Sequence, residues 1–315
     1  MDVFDAIAGH GADLAGKFAA VDPRLLVLAA VLHVSNHILR SFAWRNILTA
    51  AYPDRRVSFT GVTAAYASGV ALNAVIPARG GDAAKLALAR AEIRGSSITT
   101  IGATITVLLP FDLLAAAATL LLVGVTGDAP LTVNLDSAAT TGTWLTGNLV
   151  LTTAIVAGTA MVAGLAVRYL RPRIRQVWER IRQGGAILRT PRRYLARVAL
   201  PQAVAWICRI GVVMSLLAAF GLPASPALAA LVMVVAGAST VVPLTPGGAG
   251  TQQVLLAYAL SEAASSAAVV SFSIGMQAGV TAVNALLGIG AAMIACRSLR
   301  AVSLLRQRMG VADAA

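Results

Sequence analysis

Charge is scarce in this chain. Of its 315 residues only 12% are charged, while 58% are hydrophobic. Soluble domains carry about one-quarter charged residues, so a water-filled surface on all sides is excluded. Lysine is nearly missing: Lys17 and Lys85 are the only two, and the other basic residues among the 25 are arginine. Cysteine is limited to Cys208 and Cys296, both inside apolar runs and without CxxC or metal-ligand spacing. They read as small buried hydrophobes, with no disulfide framework and no metal cluster. The roughly ten-residue alternating segments of a transmembrane β-barrel are lacking. So are HExxH, a nucleophile elbow and a GK[ST] phosphate loop, which leaves no constellation for catalysis or for a cofactor. The N-terminal stretch carries Asp2, Asp5 and Asp13 and no basic n-region. Residues 1–23 therefore read as an amphipathic segment at an interface and not as a secretory signal.

What is present is long apolar sequence. Full spans fall at 24–48, 97–125, 144–168, 198–221 and 267–296, near or above the ~20 residues that cross a bilayer core. The fold class is an all-α integral membrane protein. Two further apolar segments are interrupted. The first, 59–78, breaks at Pro77-Ala-Arg-Gly-Gly-Asp82 and continues as a polar helix, 82–94. The second, 227–244, breaks at Pro243-Leu-Thr-Pro-Gly-Gly-Ala-Gly250 and continues as a short apolar helix, 251–261.

The net charge of +12 has two readings, contact with an anionic partner or the arginine bias of cytoplasmic loops. The distribution favours the loops, and no nucleic-acid partner is expected. Ten arginines and one acid, Glu179, lie between Arg168 and Arg197, which places that loop inside. The 126–143 loop has two aspartates and no basic residue, which places it outside. Arg45, Arg55 and Arg56 set the end of the first span inside, and Arg297, Arg300, Arg306 and Arg308 set the tail 297–315 inside.

These signs leave 59–94 entering and leaving on the inside, and 227–261 entering and leaving on the outside. Both become re-entrant hairpins, although 227–244 is also long enough for one kinked span. The transmembrane domain 24–296 then divides into repeat one (24–125), a linking helix (144–168), the basic loop (168–197) and repeat two (198–296). The repeats have opposite orientation. Inverted repeats with broken helices are a transporter architecture, with substrate held where the breaks meet.

The candidate site follows from the breaks. At the first, the amides opening the helix near Asp82 carry the positive end of its dipole. Arg79 adds a fork suited to phosphate or carboxylate, next to Asn73, Gly80 and Gly81. At the second, Gly247, Gly248 and Gly250 with Pro246 allow close backbone approach, and Thr245, Gln252 and Gln253 offer neutral polar groups. Arg209 and Asp112 lie mid-span, and Arg40 shares a helical face with His33, Asn36 and His37. Ionisable groups at such depth are functional candidates. Asp112 paired with Arg40, Arg79 or Arg209 would ease their burial. His33 and His37 at i, i+4 have no evident third metal ligand.

The two breaks, in this order, resemble the lysylphosphatidylglycerol synthase transmembrane-domain family, the flippase portion of bacterial multiple-peptide-resistance proteins. Asn73, Pro77, Arg79, Gly81 and Asp82 match its first signature, with Asp for Glu. Pro243, Thr245, Pro246, Gly247, Gly248 and Gly250 match its second, with Gln253 in place of an acid. Arg40, Trp44 and Arg45 match the end of its first span, and Asp112 its acidic span residue; an expected Glu-Arg pair is replaced around Leu108–Pro110. The resemblance implies a multi-pass protein of the bacterial cytoplasmic membrane, with a cytoplasmic C-terminus and without the synthase domain. It implies movement of an anionic phospholipid, aminoacyl-phospholipid or polyprenyl or glycolipid between leaflets. The alternatives are a small-solute secondary transporter, or a non-transporting partner that docks an envelope-biosynthesis enzyme on the basic loop.

Overall fold

A computed structural model describes Gly16 and residues 20–74, 76, 80–126, 178–239, 251–260 and 264–308. The linking helix 144–168, most of segment 1–23, and both loop tips with Pro77, Arg79, Pro243, Thr245, Pro246, Gly247, Gly248 and Gly250 lie outside the described residues. Among the described residues there are helices and no strands. Four helices are long and apolar enough to cross a membrane, and the protein is an all-α membrane protein.

The first, α1 (Pro23–Ala51), begins where Asp22 accepts a hydrogen bond from the Arg24 amide at 2.8 Å. Proline at its first position has no amide to leave unpaired. Then come α2 (Phe59–Asn73), α3 (Gly80–Glu92), α4 (Ile98–Thr106) and α5 (Leu109–Thr126). The expected span 97–125 is therefore interrupted at Val107–Leu108, where Pro110 has no amide to bond back to Thr106. Gln202 covers this interruption, donating to the Leu108 carbonyl at 3.3 Å. α6 (Pro191–Ala219) contains a π turn at Leu195–Ala199. α7 (Pro226–Ser239) is capped by Ser225, whose hydroxyl accepts from the Leu228 amide at 3.1 Å. α8 (Thr251–Ala259) and α9 (Ser266–Arg308) complete the order. α9 continues well past residue 296, so the stretch expected as a tail is helical through Arg308.

The helices beside the first break are short. At 15 and 13 residues, α2 and α3 fall below the length of a crossing. They lie antiparallel. Near the turn Asn73 meets Asp82, midway Gly69 meets Gly81 and Lys85, and at the open end Gly61 meets Glu92. The Gly69–Gly81 crossing sets the separation, because a Cβ on Gly81 would overlap the Gly69 carbonyl oxygen. We expect Gly81→Ala to lower the thermal midpoint of the detergent-purified protein, at a cost of about 1–3 kcal/mol. At Gly279 an added Cβ would meet no atom within 4 Å, and alanine there should be tolerated within about 0.5 kcal/mol.

α6 packs along α1, α9 along α2, and α7 against both α5 and α8. Two apolar cores result. One gathers Trp44, Ile47, Leu48, Val62, Ile93 and Ile101; the other gathers Leu217, Leu231, Leu256, Val269 and Phe272. At one end of the bundle the arginines collect. Arg45 donates to the Val57 carbonyl, Arg55 to the Arg94 carbonyl, and Asn46 to the Arg197 carbonyl. The described part of the basic loop seats there too: Gln183 donates to the Ala51 carbonyl at 2.9 Å, and Ile187 is buried. Arg180, Arg182, Arg189, Arg192 and Arg193 stay exposed.

Candidate functional site

The polar residues of α1 share one face. His33, Asn36, His37, Arg40 and Trp44 follow helical spacing, and that face meets α2, α5, α6 and α9. At its centre Arg40 grips Asp112 of α5 with both terminal nitrogens, at 2.9 and 2.7 Å. Its Nε donates to the Tyr66 hydroxyl of α2 at 3.1 Å. Three donors are thus fixed in one fork geometry, the arrangement that offsets the cost of a charge held in a low-dielectric interior. Of the three partners considered for Asp112 from sequence, Arg40 is the one it takes.

One turn closer to the start of α1 sits a second polar cluster. His33 Nε2 and His37 Nε2 lie 3.0 Å apart, and 2.9 and 3.1 Å from Asn284 Oδ1 of α9. Among the described residues no group of three His, Cys, Asp or Glu side chains could hold a metal. The partner of the histidines is an amide 247 and more residues away.

Arg209 lies on the inner face of α6 with Gln202, Trp206 and Val213, opposite the exposed Leu200, Val204 and Ile207. Its guanidinium stands 5.3 Å over the Trp206 ring, and Trp206 donates to Thr119 of α5 at 3.2 Å. Arg209 is exposed by surface area, yet it is within coulombic range of Arg40, Asp112 and both histidines. The two observations together describe a group on the wall of an open cavity inside the bundle. Among the described residues it has no carboxylate partner.

The hairpin joins the same network. Asp82, in the first turn of α3, pairs with Lys85 at 3.0 Å and accepts from Asn73 Nδ2 at 3.4 Å. Gly80 and Gly81 open α3 beside them. The Lys85 ammonium lies 5.8 Å from the Trp44 ring and 5.2 Å from the Tyr66 ring. Asn73, Asp82, Lys85, Tyr66, Arg40 and Asp112 therefore form one chain of contacts from the break to the bundle centre. Trp44 is locked by donating to Thr104 Oγ1 at 2.9 Å, and Thr104 in turn donates to the Ile101 carbonyl.

Gln253 of α8 stands apart from that chain. It donates to Gln277 of α9 at 2.6 Å. The pair lines an open groove of about 430 Å³ with Thr281 and the alanines 278, 282 and 285. Gln277, Thr281 and Asn284 follow one another at i, i+4, i+7, so one stripe of α9 runs from this groove to the histidines.

Sequence reasoning did not single out Lys85, Tyr66, Asn284 or Trp206. Only Lys85 carried a signal, as one of two lysines and three residues after Asp82. The others acquire their place from packing against distant helices.

Searched against curated proteins, the chain has no match. Residues 10–288 match the family described as the lysylphosphatidylglycerol synthase TM region. That match covers most of the sequence, both hairpins and every helix that contributes to the network, and the chain belongs to this family.

Proposed function

We propose that the protein moves an anionic lipid between membrane leaflets, holding the headgroup beside Arg209 while the tails stay in the bilayer. The observation that carries this reading is the charge balance of the interior. Arg40 and Lys85 each have their own carboxylate, whereas Arg209 faces the open cavity with none. A cation kept uncompensated at that depth is costly unless an anion comes to it. The family supports a lipid as that anion. The amides opening α3, and Arg79 by its position in the sequence, would add to the attraction on the hairpin side.

The inverted-repeat reading is supported by the pattern of helix contacts. α1 packs on α6, α2 on α9 and α5 on α7, and each hairpin packs on itself, α2 with α3 and α7 with α8. Exchanging the halves of the chain returns the same set of pairs, as a two-fold relation between repeats requires. Access would alternate by small movements of one repeat against the other. We read the protein as a transporter and not an enzyme. The exposed arginines of the 178–197 segment remain a surface on which an envelope-biosynthesis enzyme could dock.

The test is reconstitution into liposomes with fluorescent phosphatidylglycerol and a membrane-impermeant quencher. Protein-dependent movement between leaflets is expected. A rate equal to empty liposomes for every lipid class tried would refute the reading, and uptake of a water-soluble substrate instead would favour a small-solute transporter. Orientation has its own check, in the bacterial cytoplasmic membrane. In a background lacking Cys208 and Cys296, a cysteine at Ser265, which is exposed, should react with an impermeant maleimide in intact cells. One at Ala312 should react only after lysis.

A further inference from the structure

Lys85 is a buried lysine whose ammonium is held on several sides by groups that would suit a ligand. The Asp82 carboxylate is 3.0 Å away, and the Trp44 and Tyr66 rings lie at 5.8 and 5.2 Å. Asn73 Oδ1, buried and without a hydrogen-bond partner, sits at the same helix crossing. A carboxylate, two aromatic faces and a free amide oxygen together form the recognition set for a primary ammonium. Access is available, because the Asp82 side chain is 41% exposed while that of Lys85 is 11% exposed.

We infer that Lys85 is a specificity-determining residue, an internal stand-in that fills an ammonium pocket and so excludes lipids whose headgroups carry a primary ammonium. The inference rests on the lipid-transport reading and deepens it. With Lys85 in place, the Asp82 and Asp112 charges are both matched within the protein, and the cavity presents Arg209 alone. A monoanionic headgroup satisfies that balance. A zwitterionic one brings an ammonium that finds its pocket occupied and Arg209 and Arg40 repelling it. Removing the Lys85 charge frees Asp82, empties the space under the two rings and turns the same wall into a receptor for an ammonium.

The experiment is native mass spectrometry of the purified full chain titrated with phosphatidylglycerol and phosphatidylethanolamine, supported by the liposome assay with the same two lipids. Wild type should prefer phosphatidylglycerol. Lys85→Met should raise the ratio of phosphatidylethanolamine to phosphatidylglycerol bound by about tenfold. The double variant Asp82→Asn, Lys85→Met should return the ratio toward wild type, since the carboxylate that would hold the ammonium is gone. If Lys85→Met fails to fold, Lys85→Gln is read the same way. An unchanged ratio in a folded single variant overturns the inference, as does a gain that survives in the double variant; both leave transport itself standing. Wild-type protein that binds and moves neither lipid overturns the transport reading, and this assignment with it.

Discussion

Asp112→Ala is expected to be the most destabilising single substitution in the interior, costing about 3–5 kcal/mol. The reason is an asymmetry between the two partners. Arg40 loses both terminal contacts, now made at 2.9 and 2.7 Å, and keeps only its bond to Tyr66. A guanidinium does not shed its proton, so its charge must remain in the bundle. It would then face Arg209, with which it already shares coulombic range. Arg40→Ala should cost less, because a carboxylate left alone can be neutralised by taking up a proton. The combined Arg40→Met, Asp112→Leu change should recover much of the stability, as replacement of buried pairs by apolar residues of similar size does elsewhere. Thermal unfolding of the four proteins in detergent provides the cycle. Equal losses for both single variants, with an additive double, would show the pair to be energetically idle.

Arg209→Gln is expected to behave in the opposite way, with transport of phosphatidylglycerol reduced about 10–100-fold and stability nearly unchanged. A hydrogen bond between charged groups contributes about 1.5–3 kcal/mol, and each 1.4 kcal/mol is a factor of ten. Against stability stands only the contact with the Trp206 ring, about 0.5–1 kcal/mol. Relief of repulsion from Arg40 works in the other direction. Arg209→Lys keeps the charge and loses the fork, and should fall between. A variant with wild-type transport would remove Arg209 from the headgroup site. A variant that unfolds would make it structural.

The contrast between these residues shows how far the sequence could be read. Asp112 and Arg40 stood out because ionisable groups in apolar runs are few, and their pairing was one of three considered. Their different roles were not legible, since a charge is paired or unpaired only through helices that meet in three dimensions. Lys85 belonged to a polar helix whose charges looked uniformly solvated. Its burial under Trp44 and Tyr66 comes from the Gly69–Gly81 crossing, which brings α3 against α2 more closely than residue types with side chains allow. The histidines showed their i, i+4 spacing in sequence, but Asn284 comes from the far end of the chain.

Element boundaries tell a similar story. Pro110 was visible inside the span 97–125, and the interruption at Val107–Leu108 lies just ahead of it. The end of the last helix was placed at 296 because arginines begin there. A change in composition marks where a membrane ends, and the Leu, Arg and Gln residues that follow are good helix formers, so α9 continues to Arg308. Gln253, chosen as the counterpart of an acid near the second break, instead joins Gln277 on the groove side of α9.

The account depends on a lipid headgroup meeting Arg209 inside the bundle. The most direct measurement is a cryo-electron microscopy structure in nanodiscs containing phosphatidylglycerol, with the membrane retained throughout. A phosphate is expected at about 3 Å from the Arg209 guanidinium, with its acyl chains leading out between helices into the bilayer. A cavity that holds only water or a small solute, with every lipid phosphate at the two membrane surfaces, would contradict it.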